Sequence, residues 1–429
     1  MILSLPTFHN FRRVFLYHCL VYFLILFSTS GALAQFSVPQ ERDTLRIKKE
    51  NFPAAIMNQT DAYDIAAKLV NGGKFLRRDT LAMRPGKLYL SAIPAAGYTL
   101  ITGFASLIVA NGAFYTSNED NANVSSILTE PAYTQFKQIL LPIQANIWTP
   151  GNRYNIQTDW SYKKFPQDTY GLGGRNTLSK GYPIDYSHLR FYQTVFRTIR
   201  DDLFAGIGYC MDHFWDVREV DVPAGSVTDF EKYGLTQRST SSGMTLNLLY
   251  DLRRNLINPQ AGGWYANLVY RENSKFMGSD SNWSSLLVDL RKYIQFPAGS
   301  KNILGFWAYN VLTLHGKPPY LALPYTGSDT YINSGRGYIQ GRFRGKNMAY
   351  FESEYRFGIT PNGFLGGVLF ANVQSFSETN SKRFEVLWPA CGGGLRFKLN
   401  KFSNTNIAID FGFGVGGSKG IFVNLGEVF

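Results

Sequence analysis

Seven charged residues lie close together between positions 334 and 357. The first half of this stretch is a glycine-rich loop with four cations: Arg336, Arg342, Arg344 and Lys346. The second half alternates like a β-strand and carries three charges on one face: Glu352, Glu354 and Arg356. Such charges can form ion pairs between the loop and the strand, or they can remain solvated on the exposed face of a soluble sheet. Which of these two arrangements occurs depends on whether this face of the strand contacts the loop or solvent.

The sequence gives little support for catalytic chemistry. It contains no G-x-S-x-G, H-E-x-x-H or P-loop motif. A G-x-G-x-x-G pattern at 412–417 lies in an alternating strand, without the strand–helix context of a dinucleotide site. Beyond the N-terminal segment three histidines remain, too widely spaced to suggest a metal site: His188, His213 and His315. We predict no enzymatic activity, no cofactor and no metal.

The N-terminal segment predicts export of the chain. Two arginines precede an apolar run from Val14 to about Phe27, and small residues at 32–34 predict signal-peptide cleavage after Ala34. An uncleaved membrane anchor is the alternative. No later stretch reaches the roughly 18 consecutive apolar residues of a membrane-spanning helix. The exported chain is therefore a soluble secreted protein, a periplasmic protein or a β-barrel.

The composition favours the barrel. The formal net charge is +12, but the cations are scattered among aromatic residues and no basic helix is present, so nucleic acid is not an expected partner. Beyond the signal peptide only Cys210 and Cys391 remain, which argues against a disulfide framework. Aromatic residues make up 15% of the chain and there are 41 glycines, as is typical of barrels with aromatic girdles.

Residues 88–429 alternate between apolar and polar side chains almost throughout. Alternation fits both a soluble β-sandwich and a membrane barrel. An outward set rich in Tyr, Trp and Phe, segments of about ten residues, and alternating short and long connections favour the barrel. The sixteen predicted strands are 88–96, 101–115, 124–133, 137–148, 154–164, 186–198, 203–215, 243–252, 263–273, 283–296, 302–314, 347–358, 365–375, 389–399, 405–415 and 420–429. The fold class is thus all-β, a transmembrane antiparallel barrel of about 16 strands.

The chain divides into three predicted parts. Residues 1–34 are the signal peptide, and residues 88–429 are the barrel. Residues 35–87 are polar, with one short helix predicted from about Thr60 to Leu69. We interpret this middle part as a short periplasmic leader or plug that is partly disordered.

Several motifs resemble those of the BamA/TamA bacterial surface antigen superfamily. Residues 334–338 resemble the V/L-R-G-Y/F motif at the tip of its sixth extracellular loop, with Gly335 in place of a branched apolar residue. Residues 345–349 and 353–356 resemble the G-x-N-x-A and S-x-E-Y/F-R strand that follows this loop. The stretch 392–399 and the final Phe429 resemble the last strands and their C-terminal insertion signal.

A further motif resembles the D-x-R-D-N-x₃-P-x₂-G periplasmic turn of the same family. Arg254 stands where an acid is usual. The matching residues are Asp251, Arg253, Asn255, Pro259 and Gly262.

The resemblance implies a loop that folds back into the barrel lumen. Arg336, with Gly337 and Tyr338, would lead the loop inward, and Arg336 would pair with Glu354 on the following strand. Asn372 aligns with a position where the family usually has a second acid. In this interpretation the strand charges point inward because the lumen is wet. We expect the other three cations of the loop to be solvated: Arg342, Arg344 and Lys346.

The final strand adds one expectation about orientation. Its alternation places Ile421, Val423, Leu425 and Phe429 outward, toward lipid. The same alternation places Glu427 among them, at the periplasmic rim, where a lipid-facing carboxylate costs little free energy.

The implied function is insertion or translocation of proteins or lipids at the bacterial cell outer membrane. The leader is too short for a POTRA module, which points to the branch of the superfamily that lacks these modules. The alternative is a pore-forming or structural binding barrel without assembly activity, and an outer-membrane hydrolase has less support. Expected partners are outer-membrane lipid, a second copy or a periplasmic accessory protein, and an unknown polypeptide or lipid substrate.

Overall fold

The computed structural model describes residues 54–71, 87–99, 102–119, 122–176, 181–222, 225–234 and 236–429. The predicted signal peptide lies outside the described residues, as do the first part of the predicted leader and residues 72–86.

The described residues form eighteen antiparallel strands in one sheet. The strands are β1 (Tyr89–Thr99), β2 (Gly103–Phe114), β3 (Ser125–Thr129), β4 (Ala132–Thr134), β5 (Ile139–Trp148), β6 (Tyr154–Lys164), β7 (Gln167–Thr169), β8 (Tyr182–Arg200), β9 (Leu203–Glu219), β10 (Ser239–Asp251), β11 (Trp264–Asn273), β12 (Trp283–Gln295), β13 (Ile303–Gly316), β14 (Asn347–Gly358), β15 (Leu365–Phe376), β16 (Trp388–Asn400), β17 (Thr405–Gly414) and β18 (Lys419–Leu425). The α-helices are α1 (Ala54–Met57), α2 (Ala62–Asn71) and α3 (Asp229–Gly234). None of the described helices is long and apolar enough to cross a membrane.

Two pairs of these strands are halves of one interrupted strand. β3 and β4 both pair with β2 and with β5, and Pro131 lies between them. β6 and β7 both pair with β8, and Pro166 lies between them. Proline has no N–H to donate to a ladder, which explains both breaks. With each pair counted once, the sheet has the sixteen strands that the alternation predicts, so the predicted fold class is confirmed.

The sheet is a meander that closes into a barrel. Each strand pairs with its neighbour along the chain, from β1 with β2 to β17 with β18. β1 and β18 lie side by side at the two ends of the meander. No backbone ladder joins these two strands among the described residues. We call this junction the seam.

The two faces of the sheet have opposite chemistry. The inner face includes charged side chains with no exposure, such as Glu352 and Asp410. The outer face carries exposed apolar side chains, such as Leu246 (58% exposed) and Leu369 (59%). Charged inside and apolar outside is the arrangement expected of a barrel surrounded by lipid.

Long and short connections lie at opposite ends of the barrel. The end with the long connections, which include 220–238, 317–346 and 377–387, is here called the loop end. The opposite end, with short turns such as 201–202 and 401–404, is called the turn end. At the loop end α3 packs into a hydrophobic cluster, since the ring centroid of Phe230 lies 5.0 Å from that of Tyr320 in the 317–346 connection.

Helix α2 lies against the turn end. The carboxylate of Asp61 accepts from the backbone N–H of Asp64 at 3.0 Å, and Asp64 accepts from the N–H of Asp61 at 3.1 Å. This reciprocal pattern satisfies two backbone donors at the start of the helix. Lys401, in the turn between β16 and β17, donates from its backbone N–H to Asp61 and from Nζ to Asp64, each at 2.9 Å. The short helix predicted near Thr60–Leu69 is therefore present and joined to the barrel.

Candidate functional site

The connection 317–346, here called the long loop, folds back into the barrel. Its residues Arg336, Tyr338 and Phe343 are buried. Gly335 and Gly337 have φ angles of +86° and +103°, a region that glycine enters without strain. The chain can therefore turn sharply on both sides of Arg336. The hydroxyl of Tyr338 donates to the carbonyl of Pro389 on β16 at 2.6 Å, which holds the loop against the inner wall.

The guanidinium of Arg336 binds three carboxylates on two strands. Its Nη1 donates to Asp410 on β17 at 2.6 Å. Its Nη2 donates to Glu352 and to Glu354 on β14. The guanidinium also lies 3.8 Å from the ring centroid of Phe370 on β15. A planar cation with several donors suits such a site better than an ammonium does.

Two further arginines link these acids to a fourth one. Arg356 donates to Glu354 at 2.6 Å. Arg396 on β16 donates to Asp410 and to Glu427, each at 2.6 Å. We call the seven residues the charge network: Arg336, Arg356, Arg396, Glu352, Glu354, Asp410 and Glu427. Because opposite charges alternate through it, the cost of burying each one is offset by its partners.

Asn372 contacts the loop through a neutral hydrogen bond, at the position where the family usually has a second acid. Its side-chain amide donates to the backbone carbonyl of Arg336 at 2.9 Å and lies 3.4 Å from Glu352. It therefore holds the loop backbone and does not contact the guanidinium. The additional acids come from Glu352 and Asp410. Glu352 was a candidate from the sequence only as an inward-facing strand residue, and Asp410 was not singled out.

The turn between β10 and β11 reaches the turn between β16 and β17. Asp251 accepts from both Nε and Nη2 of Arg253, each at 2.9 Å. Asn255 accepts from two backbone N–H groups of its own turn and donates to the carbonyl of Ser403 at 3.0 Å. The carbonyl of Pro259 lies 3.4 Å from Arg356, and Gly262 has a φ of +90°. The motif residues therefore shape a turn that extends across the barrel mouth.

Solved structures share this architecture. BamA from Haemophilus ducreyi lacking POTRA domains 1–3 aligns with a TM-score of 0.54 and 12% identity, over 79% of this chain and 70% of that one. CdiB from Acinetobacter baumannii aligns with a TM-score of 0.50 and 14% identity, over 79% of this chain and 60% of that one. CdiB from Escherichia coli gives 0.50 and 10%, over 78% and 62%. The chain has the BamA-type β-barrel fold.

The similarity to known proteins is found in the structure and not in the sequence. No protein-family model and no curated protein matches the sequence. Identities this low establish the fold alone. The chain also spans less than two thirds of the length of either CdiB chain. These similarities therefore establish the BamA-type fold.

Two loop cations that we expected to be solvated are buried instead. Arg342 donates to the carbonyl of Asn176 at 2.6 Å and lies 4.3 Å from the ring centroid of Phe343, and burial lowers the pKa of its guanidinium. Arg344 donates to the carbonyls of Tyr320 and Leu323. The third, Lys346, is half-buried. The prediction failed because it assumed a loop that leaves the barrel near the strand, whereas this loop packs against other loops.

The end of the chain also departs from the expectation. Ile421, Val423 and Leu425 face outward as predicted, but β18 ends at Leu425. Gly426 has a φ of +92°, which ends the strand alternation and turns the next residues inward. Glu427 therefore joins the charge network. Phe429 is buried with its ring centroid 5.4 Å from that of Trp307, so the outward placement of both residues was wrong.

A second polar cluster, which no sequence motif predicted, lies on the inner wall. Asp212 on β9 accepts from Tyr192 at 2.5 Å and from Arg271 at 2.7 Å, and its other oxygen lies 2.9 Å from His188. The only signal was alternation, since His188 and Tyr192 share one face of β8. Alternation within β8 cannot show that Asp212 and Arg271, on other strands, contact these two side chains.

The glycines of β17 make room for the long loop. A Cβ at Gly412 would lie 2.6 Å from the backbone nitrogen of Gly337, and one at Gly414 would lie 2.6 Å from the Tyr338 ring. The G-x-G pattern that resembled a nucleotide-binding motif thus permits close packing between β17 and the loop. Together with the charge network, these contacts allow the site to fix the loop against β14 to β17.

Proposed function

We propose that this protein inserts or translocates proteins or lipids at the bacterial outer membrane. The BamA-type fold supports the proposal, and so does the way the long loop is bound to the wall beside the seam. The signal peptide at 1–34, the periplasmic leader at 35–87 and the barrel at 88–429 are parts of this proposal. The loop end would face the cell exterior and the turn end the periplasm.

The seam is the observation that carries the proposal. β18 contains seven residues, and beyond Leu425 the chain turns into the lumen. Every other neighbouring pair of strands in the meander is joined by a ladder, but β1 and β18 are not, among the residues that the structure describes. Unpaired strand edges can pair with another strand. A seam of this kind can therefore admit a substrate strand or a lipid.

The charge network connects the long loop to the strands next to the seam. Arg336 binds Asp410 on β17, which pairs with β18. Glu427, just beyond β18, is bound by Arg396. Movement of β18 would therefore disturb the contacts that hold the loop. We propose that loop seating and seam opening are linked.

A cross-link across the seam tests the function. The two cysteines beyond the predicted signal peptide, Cys210 and Cys391, are first replaced by Ser. One cysteine is then placed on the outward face of β1 at Ala92, and one on β18 at Val423 or Ile421. The matched control joins a complete ladder with the paired positions Phe351 and Val373 on β14 and β15. Each protein is reconstituted in vesicles, and the insertion of an unfolded barrel precursor and the membrane conductance are measured.

The proposal predicts that oxidation blocks insertion in the seam variant, that reduction restores it, and that the control is unaffected. The alternative is a pore-forming or structural barrel. Steady conductance together with insertion that is unchanged by the seam cross-link would favour that alternative. Cross-linking in cells followed by purification would then identify the polypeptide, the lipid, the accessory protein or the second copy of the chain that the barrel contacts.

A further inference from the structure

A cavity of about 260 Å³ opens at the loop end, beside the end of β13 and the start of β14. Its walls come from the end of β13, the long loop, the start of β14, the 377–387 connection, α3 and the connection between β7 and β8. It lies outside the charge network and plays no part in the function proposed above. Its two walls differ sharply in chemistry.

One wall is cationic, and the one carboxylate among the lining residues, Glu378, accepts from the backbone N–H of Gly174 at 2.9 Å. Lys346 and Lys382 line the cavity, and Lys317 lies beside it on the far side of Tyr233. None of the three lysines forms an ion pair with any residue that the structure describes. This contrasts with the charge network, where each arginine has at least one carboxylate partner.

The contacts of these lysines leave donors free. Among the described residues, Nζ of Lys346 donates to one acceptor, the carbonyl of Gly316 at 3.4 Å. Nζ of Lys317 donates to the carbonyl of Tyr233 at 2.5 Å. Burial lowers the pKa of Lys346, and the charges of Lys382 and Lys317 lower it further. An ammonium group has three donors, so an anion placed among these lysines would gain several charged hydrogen bonds.

The opposite wall is apolar and continues onto the outer surface of the barrel. Leu172 and Leu323 lie on the inner side of the cavity, and Leu314 lies on its outer side with 52% exposure. Leu314 belongs to β13, whose outward residues face lipid in a membrane barrel. A ligand that fills the cavity would thus have an anionic group at the lysines and an apolar chain along Leu314.

We propose that this cavity binds the phosphate headgroup of a single- or multi-chain membrane amphiphile at the outer leaflet. The lysines bind the phosphate, the leucines contact the first part of the acyl chain, and the rest of the chain lies along the barrel surface. A free phosphate ion would use the same lysines but not the leucines. The two sources can therefore be separated by experiment.

Binding of dodecyl phosphate to the purified full-length protein in a neutral detergent tests the proposal, with isothermal titration calorimetry as the measurement. The double variant Lys346→Ala and Lys382→Ala should bind at least about tenfold more weakly, because charged hydrogen bonds to phosphate are lost. The matched control is Lys292→Ala with Lys301→Ala, two lysines at the turn end. Slower migration after boiling, compared with the unboiled protein, shows that each variant is folded.

Two results would overturn the proposal: equal binding by wild type and the first double variant, or an equal loss in the control. Inorganic phosphate forms the competing arm. If inorganic phosphate at equal concentration does not displace dodecyl phosphate, the site recognises an amphiphile. If inorganic phosphate displaces it fully, the protein does not recognise the alkyl chain, and the assignment to an amphiphile is overturned. Because the assay measures binding in detergent without a protein substrate, its result does not depend on the insertion function.

Discussion

At the residue scale, Arg336 determines where the long loop lies. Its guanidinium is 1% exposed and binds carboxylates from β14 and β17. Removal of one partner from a buried ion pair leaves an uncompensated charge, which costs more than the pair contributes as a whole. The site is therefore sensitive to loss of the arginine and less sensitive to loss of both charges together.

Replacement of Arg336 by Ala should release the long loop while the barrel still forms. We expect a local loss of about 3–5 kcal/mol, since three acids lose their shared cation. Arg336→Lys should show the same defect, because an ammonium cannot reproduce the geometry of Nη1 and Nη2. Limited proteolysis of the folded protein, followed by mass spectrometry, measures cleavage within residues 317–346.

Arg383→Ala is the matched control, since it removes an exposed arginine from a neighbouring loop. Cleavage of the long loop should rise in both Arg336 variants and stay at the wild-type rate in the control. A triple variant, Arg336→Met with Glu352→Gln and Glu354→Gln, should recover part of the protection. If Arg336→Ala leaves cleavage unchanged, the charge network does not hold the loop.

At the element scale, short segments at the turn end tie distant strands together. The turn between β10 and β11 contacts the β16–β17 turn through Asn255 and the chain end through Ile257, whose carbonyl accepts from the N–H of Glu427 at 2.7 Å. Arg356 also donates to the carbonyl of Phe429 at 2.6 Å. These contacts connect strands that lie far apart around the barrel.

Asn255→Ala should lower the thermal unfolding midpoint of the barrel. The change removes two hydrogen bonds within the turn and one to Ser403, and leaves the partners buried, at a cost of about 1–3 kcal/mol. Circular dichroism in detergent measures the midpoint. Arg254→Ala, at an exposed position of the same turn, should leave it unchanged. If the Asn255 and Arg254 variants unfold at the same midpoint, the contacts of Asn255 do not stabilise the barrel.

At the scale of the whole molecule, segments from distant parts of the described chain lie at both ends of the barrel. The hydrophobic cluster around α3 and the long loop lies at the loop end. At the turn end lie the β10–β11 turn, the inward-turned chain end and helix α2. The described residues at each end therefore connect segments that are far apart along the chain.

Asp61→Ala should detach helix α2 from the barrel without affecting the strands. The carboxylate of Asp61 caps the helix and accepts from the backbone of Lys401, and loss of a cap alone costs about 1 kcal/mol. Hydrogen exchange followed by mass spectrometry should show faster exchange in 62–71 and the wild-type rate in β16. Lys68→Ala, at an exposed position of the same helix, is the control. Unchanged exchange in the Asp61 variant would show that this contact does not hold the helix.

The sequence by itself determined the strands, their faces and the residues that lead the loop inward. Alternation is a local property, because successive side chains of a strand point to opposite sides, so sixteen strands and the inward placement of Glu352, Glu354 and Arg356 could be predicted. Only the tertiary structure decided which groups meet. Asp410 lies 74 residues from Arg336 and reaches it because the sheet closes and the loop folds back. The inward turn at Gly426 and the burial of Arg342 likewise depend on contacts with distant segments, which alternation along one strand does not encode.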